Sequence, residues 1–176
     1  YYASRGLGDV YKRQVHERKK MHRNGALRLC YHGNKKGNRP MDFQKLTEYR
    51  NQQNRFAQRI GMALEEIRPG YARVVKTVDA DDANPLGVPH GGVYFSMSDN
   101  ACGSAMASYG YMAVTLNASY QFFRSARVGD HLTAEAREIK HGKTVSVYEA
   151  RVTNQDGILL GTGTFTFFQL DQKIEL

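Results

Sequence analysis

The chain has 176 residues, 41% of them hydrophobic, with 25 basic and 17 acidic side chains and a formal net charge of +8. That length allows one domain of ordinary size with a real core and is small for two. Two cysteines, Cys30 and Cys102, exclude a disulfide framework and suit a reducing, cytoplasmic setting, while no run reads as a membrane span or a signal peptide.

The charge is unevenly placed. Residues 1–40 hold eleven basic and two acidic residues, net +9, leaving 14 basic and 15 acidic, net −1, in 41–176. Asp9-Val10-Tyr11-Lys12-Arg13-Gln14 can be encoded by GAT GTG TAT AAG AGA CAG, a string within the mosaic-end adapter of transposase-based sequencing libraries. Lys35-Lys36-Gly37 is encodable as AAR AAR GGN, which resembles a ribosome-binding site a few codons before Met41. Residues 1–14 are expected to be adapter translation and residues 15–40 an upstream leader, both disordered, with Met41 as the native start. The basic excess then says nothing about partners. Binding to nucleic acid or to a membrane is not expected of a near-neutral 41–176 domain.

Met41 to Met62 reads as one helix, with Phe43, Leu46, Tyr49, Phe56 and Ile60 at three- and four-residue spacings and Gly61 near its end. Leu64 to Val78 reads as two short strands joined by the turn Arg68-Pro69-Gly70-Tyr71. Asp79 to Pro89 reads as a loop.

Gly92 to Ser108 then reads as a helix apolar all round, through Val93, Phe95, Met97, Ala101, Ala105 and Met106, stopped by Gly110. Such a helix is a buried one. It nonetheless carries Asp99, with Ser96 and Gly103 on the same side. An uncompensated buried carboxylate is costly, so its presence points to chemistry. At the helix start, free N–H groups of Gly91 and Gly92 could hold a developing negative charge.

Strands follow at 112–123, 131–140, 144–153 and 158–169. The links Val128-Gly129-Asp130, His141-Gly142-Lys143 and Asn154-Gln155-Asp156-Gly157 are of hairpin type, which predicts a four-strand antiparallel meander. Gly161 to Phe168 alternates Thr with apolar or small residues, giving one wet and one packed face. The fold class is α+β: an antiparallel sheet of about five to six strands curled around one long buried helix, plus the N-terminal helix.

The run Asn84-Pro-Leu-Gly-Val-Pro-His90-Gly91-Gly92, then Asp99, Val114-Thr115-Leu116-Asn117, Phe123-Arg124-Ser125-Ala126, Gly129-Asp130 and His141-Gly142-Lys143-Thr144 cover roughly residues 45–170. In this pattern the domain resembles the hotdog-fold acyl-CoA thioesterases of the phenylacetate-pathway, PaaI-like type. The Asp-x-x-x-x-His of the hydratase hotdogs is not found, nor is the catalytic Asp ahead of the helix that marks the hydroxybenzoyl-CoA branch.

The resemblance implies hydrolysis of acyl-CoA to free acid and coenzyme A. Asp99 would be nucleophile or general base. The Gly91 N–H would donate to the thioester oxygen. Asn84 would orient the water or the carboxylate, Thr115 would position the water, and His90 would fix the loop or bond the carbonyl. Gly92, Arg124, His141 and Lys143 would contact the substrate, whose coenzyme A leaves no need for a separate cofactor or a metal. The family draws Asp and Ser/Thr from one subunit and Asn, His and Gly from its partner, which implies a homodimer, assembled as a dimer of dimers.

Each residue also has an ordinary use. Asn84 forms turns before Pro85, His90 can bond loop backbone, and Gly91 and Gly92 allow close packing. Arg124, His141 and Lys143 can be solvated surface charge, and Cys102 an inert core thiol. Phe95, Tyr94, Met112, Tyr120 and Phe122 would suit an aromatic or medium-chain acyl group, and they would equally line a core. No Gly-x-Ser-x-Gly elbow or complete phosphate loop is present, and His131 and His141 lack metal-ligand spacing. The alternative function is a non-catalytic acyl-CoA-binding or sensor protein on the same fold, to which a carboxylate beside the thioester would bring nothing.

Overall fold

The computed structural model describes residues 41–176. The expectations for residues 1–40, Cys30 among them, lie outside the described residues.

The N-terminal helical stretch is two helices, α1 (Phe43–Gln53) and α2 (Arg55–Arg59), where the sequence reads as one. Asn54 makes the break. Its N–H donates to Arg50 O at 3.0 Å and closes α1, while its side-chain oxygen accepts the Ala57 N–H at 3.0 Å and opens α2. The apolar spacing runs on across the break, but an Asn side chain competes locally with the helical ladder. Asp42 caps the start of α1 by accepting the Lys45 N–H at 3.1 Å, and Leu46 is buried beneath it.

The strands β1 (Ala63–Arg68) and β2 (Tyr71–Thr77) form the expected hairpin, turning at Gly70 with φ +68°. A 3₁₀ turn, Ala80–Asp82, opens the loop that leads to the central helix α3 (Gly91–Ala107). Then come β3 (Tyr111–Phe122), β4 (His131–Lys140), β5 (Val145–Thr153) and β6 (Leu159–Lys173).

The six strands make one antiparallel sheet in the order β1-β2-β4-β5-β6-β3, curled around α3. The expected meander therefore holds for β4, β5 and β6 only. β3 lies at the far edge beside β6 and does not touch β4. The link 123–130 explains this, since its two ends are held apart. Phe123 N–H donates to Leu160 O at 2.8 Å on β6, while Val78 N–H, just past β2, donates to Asp130 O at 2.9 Å. The chain thus passes β6 and β5 between Phe122 and His131. A sequence cannot show this, because a short turn motif fixes a bend and leaves the next partner open.

Met97, Ala101, Cys102, Ala105 and Met106 of α3 are completely buried against the sheet. The helix is not enclosed on every side, however. Phe95 is 37% exposed, and Ser96, Asp99, Asn100 and Gly103 are half-buried, forming one open stripe along the helix. Asp99 is therefore half-buried and open to solvent, where the sequence reads it as enclosed.

β6 shows the expected two faces: Phe165 and Phe167 turn into the core and Thr164 out. On its inner face Gly161 makes room for Tyr120 of β3, since a Cβ there would lie 2.8 Å from the Tyr120 hydroxyl.

Candidate functional site

The site begins with an irregularity in β3. Beyond residue 117, Ala118, Tyr120 and Phe122 lie opposite Phe165, Gly163 and Gly161 of β6, on the face toward the helix. Strict alternation would next turn Leu116 and Val114 inward. The register shifts between Thr115 and Asn117, a bulge that leaves Leu116 as an extra residue, and Thr115 comes to lie opposite Phe167 on the inner face. Leu116 and Val114 point outward, 57% and 48% exposed. The Thr115 hydroxyl then donates to Asp99 Oδ1 at 2.7 Å. Among the described residues nothing donates to Asp99 Oδ2. One oxygen is fixed, and Asp99 lines a cavity of about 230 Å³ together with Ser96 and Asn100.

A second group of candidates gathers at the start of α3. His90 is the N-cap, in extended backbone geometry, and its Nδ1 accepts the Gly92 N–H at 2.9 Å. The Gly92 N–H is therefore occupied, contrary to the expectation that both glycine N–H groups are free. Only glycine permits this cap, because a Cβ on residue 92 would lie 2.9 Å from that same Nδ1. With Nδ1 accepting, the ring proton sits on Nε2. The Gly91 N–H takes no partner among the described residues, as befits the first turn of a helix. The loop before it is tied down firmly. Lys76, whose side chain is fully buried, donates to Ile60 O at 2.5 Å and pairs with Asp82 at 2.9 Å and Asp79 at 3.3 Å. Asp82 O in turn accepts the His90 N–H at 2.8 Å, so a buried cation fixes where α3 begins.

The other candidates separate from these. Asn84 shapes the loop: its side-chain oxygen accepts the Leu86 N–H at 2.9 Å and its carbonyl the Gly87 N–H at 2.9 Å. Asn84, His90 and Gly91 do not line the cavity that holds Asp99. Arg124 follows β3 on the 123–130 link, where Ala126 N–H donates to the Tyr94 hydroxyl at 2.8 Å and anchors the segment to α3. His141 stacks on Tyr109 with ring centroids 3.9 Å apart and lies 3.2 Å from the Ser146 hydroxyl. Lys143 borders a separate groove with Tyr111 and Asp171. Of the aromatic residues offered for an acyl group, only Phe95 lines the Asp99 cavity.

Burial, reinforced by the Asp99 and Glu149 charges, pushes the Cys102 thiol well up, so it stays protonated at neutral pH and is no nucleophile. One residue that lines the Asp99 cavity escapes the sequence reading altogether. Arg50 of α1 reaches across α3, donates through Nε to Ser104 Oγ at 2.8 Å, and enters the Asp99 cavity. Burial pulls its guanidinium below the usual arginine range, and the Asp99 charge pulls it back up. No local signal joins residues 50 and 104.

The geometry has counterparts in known proteins. A family model described as the thioesterase superfamily matches residues 86–160, from the loop before α3 into β6. The chain is 35% identical over 99 residues to the acyl-coenzyme A thioesterase PaaI of Escherichia coli K12, a match spanning 56% of this chain and 71% of that protein. The solved structure of the E. coli PaaI protein from the phenylacetic acid degradation operon superposes with a TM-score of 0.72 at 27% identity, covering 75% of this chain and 96% of that one. A Streptococcus mutans crystal structure bound to acetyl CoA superposes with a TM-score of 0.62 at 30% identity, covering 65% and 92%. The curled six-stranded sheet, the long helix beginning at His90-Gly91-Gly92 and these matches agree: the chain belongs to the thioesterase superfamily, as a PaaI-like thioester hydrolase of the hotdog fold.

Proposed function

We propose that the protein hydrolyses acyl-CoA thioesters to a free acid and coenzyme A, with Asp99 as nucleophile or general base and the Gly91 N–H as oxyanion donor. The observation that carries this reading is the 2.7 Å bond from Thr115 to one oxygen of Asp99, a carboxylate that lines a cavity and has no donor on its other oxygen among the described residues. A fixed carboxylate can take a proton from water as that water adds to the thioester carbonyl, or add to the carbonyl itself. The carbonyl oxygen gains charge in either case, and an unpaired N–H at a helix start is suited to receive it. Collapse of the adduct expels the sulfur as coenzyme A thiolate, which takes up a proton. Where Asp99 itself has added, water then opens the acyl–Asp99 anhydride to free acid and the restored carboxylate. Water is the only co-substrate.

The two halves of this chemistry stand apart within one protomer, since Gly91, His90 and Asn84 lie outside the Asp99 cavity. A dimer that brings one protomer's helix start to its partner's Asp99 would complete the site. The free edge of β3 supports such an assembly, with Val114, Leu116, Phe122 and Phe123 all about half exposed along it. A long unpaired apolar edge is a strand waiting for a partner. A dimer of dimers is proposed from the family resemblance. Arg124, His141 and Lys143 are proposed contacts for coenzyme A; Arg124 and Lys143 offer charge to its phosphates. A reducing compartment suits Cys102, free and buried. A panel of acyl-CoA esters, followed by release of free thiol, tests the activity. Tight binding of acyl-CoA without hydrolysis of any member would replace it with the sensor function.

A further inference from the structure

The Asp99 cavity holds a cation that the hydrolysis does not use. Arg50 donates Nε to Ser104 Oγ, and among the described residues no group accepts from its two terminal nitrogens and no carboxylate lies within 4.0 Å of it. The guanidinium lies over Gly103 of α3, where a Cβ would be 3.6 Å from Nη2, an ordinary contact distance. Asn54 and Asn100 stand beside it, the Asn54 amide donating to Asn100 Oδ1 at 3.3 Å. Arg50 thus lies over Gly103, one turn of α3 from Asp99, and makes that part of the cavity polar and positively charged.

We propose that Arg50 recognises a carboxylate at the far end of a short acyl chain, so that the preferred substrates are CoA thioesters of dicarboxylic acids. This rests on the acyl-CoA reading and names its substrate class. An alkyl chain laid against Arg50 would strip water from four N–H donors and return nothing, which a buried charged group resists. A carboxylate would accept two of those N–H groups in the paired geometry that a guanidinium offers. Asp99 and Gly103, over which Arg50 lies, are four residues apart on α3, about 5–6 Å between neighbouring side-chain positions. A diacid of four to six carbons bridges such a span.

The test uses the unmodified protein with succinyl-, glutaryl- and adipoyl-CoA, each set against its alkyl twin, butyryl-, valeryl- and hexanoyl-CoA. The best diacid is expected to exceed its twin in kcat/KM by about tenfold or more, as a charge-assisted bond delivers. Arg50→Gln should cut that ratio about tenfold, and Arg50→Lys, which keeps the charge and loses the paired geometry, should cut it less. Equal or faster hydrolysis of the alkyl twins overturns the proposal while leaving the thioesterase reading intact. A loss in Arg50→Gln that falls equally on both members of each pair also overturns it, since Arg50 would then serve Asp99. Failure to hydrolyse any member overturns this proposal, and the wider acyl-CoA panel then decides the acyl-CoA reading separately. If Arg50→Gln does not fold, the ratio in the unmodified protein and in Arg50→Lys still decides.

Discussion

Thr115 Oγ1 lies 2.7 Å from Asp99 Oδ1, so a hydroxyl on an edge strand holds a carboxylate on the central helix. Replacing Asp99 by Asn keeps the shape but leaves a group that neither takes a proton nor attacks a thioester. Asp99→Asn is expected to lower kcat by roughly 10²–10⁴-fold, the range of general acid–base catalysis, with KM moving far less. Thr115→Ala frees the carboxylate without removing it, and a loss of about ten- to a hundredfold is expected, the worth of one hydrogen bond to a charged group. Steady-state kinetics on both variants check this, and near-full activity in Asp99→Asn would sink the mechanism.

The role of the Gly91 N–H can be isolated by proline. Proline removes that N–H and is well tolerated at the first position of a helix. His90 before it already has the extended geometry that a following proline requires, with φ −60° and ψ 140°. A new Cβ would meet the Phe122 ring at 3.1 Å, a contact that Gly91→Ala makes equally. Gly91→Pro is expected to lose roughly 10²–10³-fold in kcat, the cost of one oxyanion donor, and Gly91→Ala far less. Equal losses in the two variants would show that the ring contact matters and the N–H does not.

Shared sites leave a signature in mixtures. If Asp99 and Gly91 act from different protomers, co-folding Asp99→Asn with Gly91→Pro yields mixed dimers with one intact site and one doubly damaged site. Thioesterase activity should reappear on mixing, although neither variant is active alone. Persistent inactivity, with exchange of protomers confirmed by mass spectrometry, would place both groups in one subunit.

Asp130 gives a pH test of the fold. Its carboxylate accepts from Gln155 Nε2 at 3.0 Å and from the Arg127 N–H at 2.8 Å, and these bonds hold it below the usual carboxylate range. A carboxylate lowered in the folded state contributes stability above its unfolded value, near 3.9, and loses it as pH falls through the folded value. Asp130→Asn should therefore lower Tm at neutral pH, and the gap to the unmodified protein should shrink as pH drops below about 4. A gap that stays constant between pH 7 and about 3 would assign the loss to something other than this ionisation.

The central helix and its carboxylate are legible in the sequence because both are local. Apolar spacing fixes Gly92 to Ser108 within a residue at each end, and Asp99 stands out against it. The flaws in the reading are all of another kind. Asn54 breaks a helix whose periodicity is unbroken, since side-chain capping competes on a scale that spacing does not sense. β3 goes to the far edge because its partners are chosen by the whole sheet. Arg50 is an ordinary basic residue of an amphipathic helix until folding lays it across Ser104. The family pattern, in turn, points to Thr115 without saying how an outward-reading strand position comes to face inward.

That inward turn depends on strand pairing. Leu116 is the residue of β3 that has no counterpart on β6 at the bulge, so deleting it would leave Asn117 out and Thr115 in, opposite Thr166 and Phe167 as before. A lineage carrying this fold can lose that codon and keep the partner of the carboxylate. Losing Thr115 itself would instead carry Val114 to its place and confront Asp99 with two methyl groups. The site is in this sense held by the pairing of β3 with β6, and the bulge absorbs the difference in residue count.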